Sequence, residues 1–397
     1  MIDIIVVGTG MYTIGRNTDG FGTIVPAINE WAKTSGTNVV VHLVGSHGKN
    51  NSEIREKITA FRKLTTSELE FVLYPQDDVE DKKAYVKVMS SVVNPAACVI
   101  AVPDHLHYEV TVEAIENKIP SLVVKPLTPT YKESLALSQL AKKNDTYGCV
   151  EFHKRFDLAN RMFRDSYQKG EIGQPLYSIV EYSQQVSIPS QVFRGWVETT
   201  NIFQYLGVHY VDIIRFVTGA TPLRVSAIGQ KKCLKGMGID TYDSIQCTVE
   251  WGLPGEKQVF AQTLLVNWID PKSSPAMSNQ RIKMIGTKGR YESDQTNRGV
   301  AVYSGDSMYN TPNPYFCVPY GTEEGSISWE GYGIESVSTF LNDCVHLANG
   351  ETSLDKLNGS RSTFEESLVS SVVVEACNKS LELSGEWIVI DEILEGV

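Results

Sequence analysis

Ile2-Asp3-Ile4-Ile5-Val6-Val7-Gly8-Thr9-Gly10-Met11-Tyr12-Thr13-Ile14-Gly15 is an apolar run that ends on a glycine-rich turn. Residues 4–7 offer no polar position on either face, which reads as a strand buried on both sides. Gly-x-Gly directly after such a strand lets the backbone bend tightly and approach a pyrophosphate, whose charge is met by backbone N–H groups. A helical stretch follows at 24–34, and the strand expected at 39–44 is apolar at five of its six positions. Further strands are expected at 68–74, 98–102, 121–124 and 147–151, with helices such as 108–117 and 131–143 between them. Apolar strands alternating with helices mean a parallel sheet covered on both faces. Residues 1–150 are therefore expected to form a doubly wound Rossmann domain of the α/β class.

Past residue 150 the texture changes. The segments 176–185, 223–229, 243–251, 258–266 and 281–286 alternate apolar and polar residues and are separated by Gly- and Pro-containing turns. That pattern predicts an antiparallel sheet with one covered face. Helices are expected at 160–169, 208–217, 336–348 and 362–383, long loops over 294–329, and a last strand at 386–390. Residues 151–397 thus read as an α+β domain on a large, mostly antiparallel open sheet, suited to substrate binding and oligomerisation.

Composition narrows the partners. A chain of 397 residues with 36 Lys and Arg against 47 Asp and Glu has a net charge of −11, a field that repels nucleic acid and anionic membranes. Neither is expected as a partner. No run approaches the ~18 apolar residues that a membrane helix needs. The first residues carry no basic region and read as a strand rather than a signal peptide. The seven cysteines (98, 149, 233, 247, 317, 344 and 377) are odd in number, scattered and without a CxxC pair. Such spacing argues against a disulfide framework or a zinc site, so no metal is expected, and it favours a reducing compartment, the cytoplasm.

Four places carry chemistry. Gly8, Gly10, Met11 and Tyr12 form the turn that would cradle a dinucleotide, although the third glycine of GxGxxG is replaced by Thr13. The second strand runs into Gly45-Ser46-His47-Gly48-Lys49, without the acid that grips a ribose 2′-OH in NAD-preferring sites. Ser46, His47 and Lys49 suit a 2′-phosphate instead, which favours NADP over NAD; the alternative is an ordinary polar loop. Pro103, Asp104 and His107 follow the strand at 98–102, at the sheet edge that faces ligands. Lys125 ends the buried strand 121–124, where an ammonium can stabilise a developing alkoxide or hold a sugar hydroxyl; the alternative is a surface lysine just past the sheet.

Gly8–Gly15, Pro103-Asp104-His105-Leu106-His107, Lys125-Pro126, His153-Lys154-Arg155-Phe156-Asp157 and Gly207-Val208-His209-Tyr210-Val211-Asp212 together resemble the glucose–fructose oxidoreductase / inositol dehydrogenase / MocA (Gfo/Idh/MocA) family. The resemblance covers nearly the whole chain. It implies a Rossmann domain, a second domain on an open sheet, and NAD(P)-linked oxidation or reduction at a secondary hydroxyl or ketone of a sugar, cyclitol or derivative. It also implies a homodimer or homotetramer. By the same resemblance Lys125 matches the lysine of the family's Glu-Lys-Pro motif, and His209 matches its active-site histidine. Two positions depart: the motif's Glu is Val124, and the frequent aspartate four residues before the histidine is Tyr205. On a helical turn Tyr205 and His209 share one face. Tyr205 can then bond substrate or the imidazole, so it joins Lys125 and His209 as a candidate catalytic residue. His153, Lys154 and Arg155 are candidates for substrate hydroxyls or an anionic group, or else for salt bridges, and Trp196 for stacking on a sugar ring or for core. The departures leave two alternatives open, a glycosidase-like enzyme using NAD in a transient oxidation and a cofactor-binding regulator without turnover.

Overall fold

The computed structural model describes residues 2–93, 96–255, 259–304 and 307–397. It divides into two compact units, the first comprising Met1–Thr128, Glu133–Phe156 and Tyr315–Ser367, the second the remainder.

In the first unit six parallel strands, β1 (Ile2–Val7), β2 (Val39–Val44), β3 (Glu70–Tyr74), β4 (Ala97–Ile100), β5 (Ser121–Val124) and β6 (Gly148–Glu151), lie in the order β3-β2-β1-β4-β5-β6. β1 pairs with β2 on one side and β4 on the other, so the strand order reverses beside β1. Ligands of doubly wound sheets bind at that reversal, outside the carboxyl ends of the strands. Ile4, Val6, Val41 and Val99 are fully buried or nearly so, which accounts for the unbroken apolar runs of the sequence.

A single cut at residue 150 does not describe the chain. The helix Tyr332–Ala348 returns to the first unit because its apolar stripe, Ile334, Val337, Phe340 and Leu341, shares a core with Val25, Ile28 and Trp31 of the helix Ile24–Ser35. The Trp31 indole fixes the same seam by donating to Asn342 Oδ1 at 2.8 Å, and beside it Arg361 holds the Asp343 carboxylate of the returning helix at 2.6 and 3.0 Å.

The second unit is built on β7 (Pro175–Gln185), β8 (Thr221–Gln230), β9 (Ser244–Gly252), β10 (Val259–Asp270), β11 (Ser278–Gly286) and β12 (Arg290–Asp294). The strand expected at 258–266 begins at Val259, its first residue lying outside the described ones. Where loops are expected at 294–329 there are two small hairpins, β13 (Val302–Ser304) with β14 (Ser307–Asn310) and β15 (Val318–Gly321) with β16 (Ile327–Glu330). They are too short for alternation to announce them, and residues 305–306 lie outside the description. The last strand, β17 (Ile388–Val389), is shorter than 386–390 and gives way to the helix Ile390–Glu395. The large sheet runs β12-β11-β7-β10-β9-β8-β17, and only the β10–β7 pair is parallel. Ile245, Cys247, Val249 and Trp251 of β9 alternate into the core with the helix Val208–Thr218. The opposite face leaves Tyr177, Ile179, Ile228 and Leu265 exposed.

Candidate active site

The glycine turn follows β1. Gly8 has φ +108°, and a Cβ there would lie 2.2 Å from the Ala101 carbonyl oxygen, so only glycine lets β1 pass the end of β4. A Cβ on Gly10 would meet nothing within 4 Å, leaving the open space that an approaching pyrophosphate requires. Thr13, in place of the third glycine, is buried and donates to the Gly8 carbonyl at 2.7 Å, bracing the turn from inside. The helix after the turn is split into Met11–Ile14 and Ile24–Ser35. The intervening residues 15–23 are tied to the helix Asn51–Thr65 by Arg16–Glu53 (3.4 Å), Asn17 N–H to Glu53 (2.9 Å) and Lys57 to the Gly20 carbonyl (2.9 Å). Arg16 also donates to Thr9 Oγ1 within the turn at 3.3 Å.

Beyond β2, Ser46 and Lys49 are exposed and His47 is half-buried. Gly48 N–H donates to the Val79 carbonyl at 2.8 Å and Asp81 N–H to the Ser46 carbonyl at 3.0 Å. This pairing brings the Glu80 carboxylate to 3.7 Å from His47 Nδ1. The acid missing from β2 thus arrives from the loop after β3. Sequence reading missed it because Glu80 sits in the charged run Asp77, Asp78, Glu80, Asp81, where no single carboxylate stands out.

Lys125 follows β5 and is 7% exposed. It is no surface lysine. Burial pushes its ammonium down to about 7, against the opposing pull of the Asp104 and Glu151 carboxylates. Asp104 is buried beside half-buried Pro103. His107 is 1% exposed, with Nδ1 at 2.8 Å from the Pro126 carbonyl and Nε2 at 3.0 Å from that of Val102. Its ring joins the turn after β4 to the backbone just after Lys125, and burial holds its pKa below the usual imidazole value.

Glu151, at the end of β6, is 1% exposed. One carboxylate oxygen lies 2.9 Å from His153 Nδ1, and the Tyr12 hydroxyl lies 3.4 Å from the same nitrogen. The His153 ring packs on Phe316 and Tyr332 with centroids 5.1 and 5.7 Å apart. His153 therefore joins the glycine turn through Tyr12. Lys154 and Arg155 do not present a shared basic surface with it. The turn His153–Phe156 carries both inward, Lys154 fully buried and Arg155 3.9 Å from Glu366.

In the second unit a π-helical turn, Phe203–Gly207, leads into Val208–Thr218 and so carries Tyr205 and His209 on one continuous element. His209 is buried. The Tyr205 phenol is hydrogen-bonded with Gln184 of β7, and burial pushes its pKa up, which keeps it neutral. Its ring packs edge-on to Phe193 (4.9 Å) and lies near Trp268 (6.2 Å) and Trp196 (6.5 Å). Half-buried Trp196 belongs to this aromatic group. Gln184, Phe193 and Trp268 are members that alternation marks only as strand or core. Among the described residues no group of three or more His, Cys, Asp and Glu could hold a metal ion, and no helix is long and apolar enough to cross a membrane.

Comparison with known proteins adds independent findings. Residues 2–152 match the family model described as "Oxidoreductase family, NAD-binding Rossmann fold", and residues 161–292 match the "GFO/IDH/MocA C-terminal domain". The scyllo-inositol 2-dehydrogenase (NAD(+)) of Bacillus subtilis is 27% identical over 198 residues, 49% of this chain and 53% of that protein. The inositol 2-dehydrogenase of Corynebacterium glutamicum is 28% identical over 152 residues, 38% of this chain and 43% of that protein. The chain thus spans about half the length of the curated relatives it matches. A fold likeness extends further. The scyllo-inositol dehydrogenase of Lactobacillus casei, solved with NAD(H) and scyllo-inositol, superposes with a TM-score of 0.67 at 15% identity, covering 98% of this chain and 99% of that one.

Proposed function

The chain belongs to the Gfo/Idh/MocA oxidoreductase family, and from that premise we propose that it oxidises a secondary hydroxyl of a sugar, cyclitol or related polyol, or reduces the matching ketone. The observation that carries this reading is Lys125, buried at the end of β5 with Asp104 and Glu151 acting on its charge, in the unit that holds the glycine turn. Inositol dehydrogenases among the relatives support the substrate class.

Gly8, Gly10, Met11 and Tyr12 would hold the dinucleotide, with Pro103 and Asp104 at the neighbouring strand end. What the nicotinamide supplies when bound is an acceptor for the hydride leaving carbon. His209 takes the hydroxyl proton, and protonated Lys125 donates a hydrogen bond to the oxygen as charge develops there. A lysine pushed to about 7 is present in both protonation states near neutrality, so it can also exchange that proton with substrate. Tyr205, held by Gln184, gives a neutral hydroxyl where the family resemblance implies a carboxylate, and Trp196 with Phe193 gives an aromatic face for a ring.

For the cofactor we favour NADP(H), on the absence of an acid from 45–49 and the presence of Ser46, His47 and Lys49. Glu80 beside His47 opposes a 2′-phosphate and makes the preference a modest one. A second copy of the chain covers the exposed apolar face of the large sheet, giving a homodimer or homotetramer. The seven free thiols support the cytoplasm as its compartment.

Lys125→Ala and His209→Ala test the reading. A donor at an oxyanion-type position is worth about 3–4 kcal/mol and a general base about 10²–10⁴-fold, so each variant should lose at least about a hundredfold in turnover. Both should still bind NAD(P)H by fluorescence titration. Full activity in His209→Ala on a substrate the wild type turns over well would end the mechanism.

A further inference from the structure

Glu151 is a carboxylate buried almost completely, an expensive placement unless the charge has work to do. One oxygen meets His153 at 2.9 Å, while Oε1, also buried, makes no hydrogen bond among the described residues. The strand register explains where it stands. β5 and β6 run parallel with Val124 opposite Glu151, and paired residues of neighbouring strands project to the same face. Lys125 is the next residue after Val124. The chain therefore lacks a carboxylate immediately before its lysine and has one on the neighbouring strand, one rung across.

We propose that Glu151 is a positioning residue for Lys125, replacing from β6 the carboxylate that position 124 lacks, and that His153 fixes the Glu151 side chain in that role. The inference rests on Lys125 being the reacting ammonium proposed above. Among the groups that bear on Lys125 in the first unit are Asp104 from the turn after β4 and Glu151 from β6, with His153 and Tyr12 behind Glu151, while His107 holds the backbone just after the lysine. Asp104 and Glu151 both favour the ammonium against burial, so losing Glu151 removes one of the carboxylates that oppose desolvation. Tyr12 belongs to the glycine turn, which links the pair to the residues proposed to hold the dinucleotide.

Competitive acetylation with trace acetic anhydride, read by mass spectrometry on the peptide carrying Lys125, follows its titration in the intact protein without substrate. In Glu151→Gln the Lys125 midpoint should fall by at least about one pH unit, the scale of one nearby opposite charge. The pH profile of kcat/KM should move with it. Val124→Glu combined with Glu151→Gln should return the midpoint toward the wild-type value. Where Glu151→Gln does not fold, His153→Phe keeps the ring packing and removes the nitrogen that holds Glu151, and it too should lower the midpoint. An unchanged Lys125 midpoint in a folded variant of either kind overturns the proposal. A lowered midpoint in a protein that turns over no polyol keeps Glu151 as the partner of Lys125 and rejects the dehydrogenase reading instead.

Discussion

Replacing Lys125 by Met removes the ammonium while keeping an unbranched side chain that fills much of the same space. The unfolded chain holds the Lys125 proton up to its ordinary value of 10.5, whereas the folded chain, with the side chain 7% exposed, releases it near 7. Between those values unfolding takes up a proton, so wild-type stability rises with pH across that window. Below about pH 7 the cost of the buried charge is complete and constant, and above about pH 10.5 it is gone. A drop of about 3.5 pH units corresponds to about 5 kcal/mol, which is a ceiling. Asp104 and Glu151 lose their opposing charge in the variant and take back part of the gain. Lys125→Met should therefore be more stable than wild type by a few kcal/mol at neutral pH, up to about 5 kcal/mol, with the difference closing as pH climbs towards about 10. Parallel urea denaturation of the two proteins at about pH 6, 8 and 10 measures this directly. A stability difference that stays constant across pH would refute the reasoning, because packing rather than charge would then be its source. A neutral-pH loss of stability in the variant would refute it equally.

Three further outcomes are expected. Tyr205→Phe removes the phenol from Gln184 and should lower stability by about 1–3 kcal/mol, read as a shift in denaturant midpoint; an unshifted midpoint would strike Gln184 from the account. Glu80→Gln removes the carboxylate 3.7 Å from His47, and the affinity ratio of NADPH to NADH should rise about two- to fivefold by fluorescence titration, the scale of an exposed ion pair. A ratio that falls would place Glu80 on the other side of the discrimination. Ile179→Lys puts a charge on the apolar outer face of β7 and should reduce the mass measured by light scattering to that of one chain. An oligomer of unchanged mass would mean that another surface holds the copies together.

Elements whose signal is local were legible in the sequence. The strand at 39–44 and the helix at 131–143 have the expected bounds, because a run apolar on both faces and an amphipathic helix declare themselves by periodicity. The return of Tyr315–Ser367 to the first unit was not legible. The stripe Ile334, Val337, Phe340 and Leu341 says that one face of a helix is buried, and nothing in it says against which core. At the candidate site, Lys125 at the end of a buried strand was conspicuous, since an ammonium there is costly unless it has partners. Its partner Glu151 was not, because only strand register brings position 151 opposite position 124. His107 is ambiguous in sequence for a related reason. A histidine after a strand end looks the same in sequence whether its ring faces a cofactor or backbone carbonyls, and here it faces the carbonyls of Pro126 and Val102.

Hydride transfer from a polyol carbon is observed directly through the absorbance of the reduced nicotinamide. Purified protein should be offered a panel of inositols, aldoses and sugar acids with NAD+ and NADP+ separately. Reduced nicotinamide should accumulate with at least one substrate, in proportion to enzyme, and Lys125→Ala should abolish it. Stoichiometric cofactor binding without turnover across the panel, or release of a leaving group from a glycoside with no net change in nicotinamide, would contradict it.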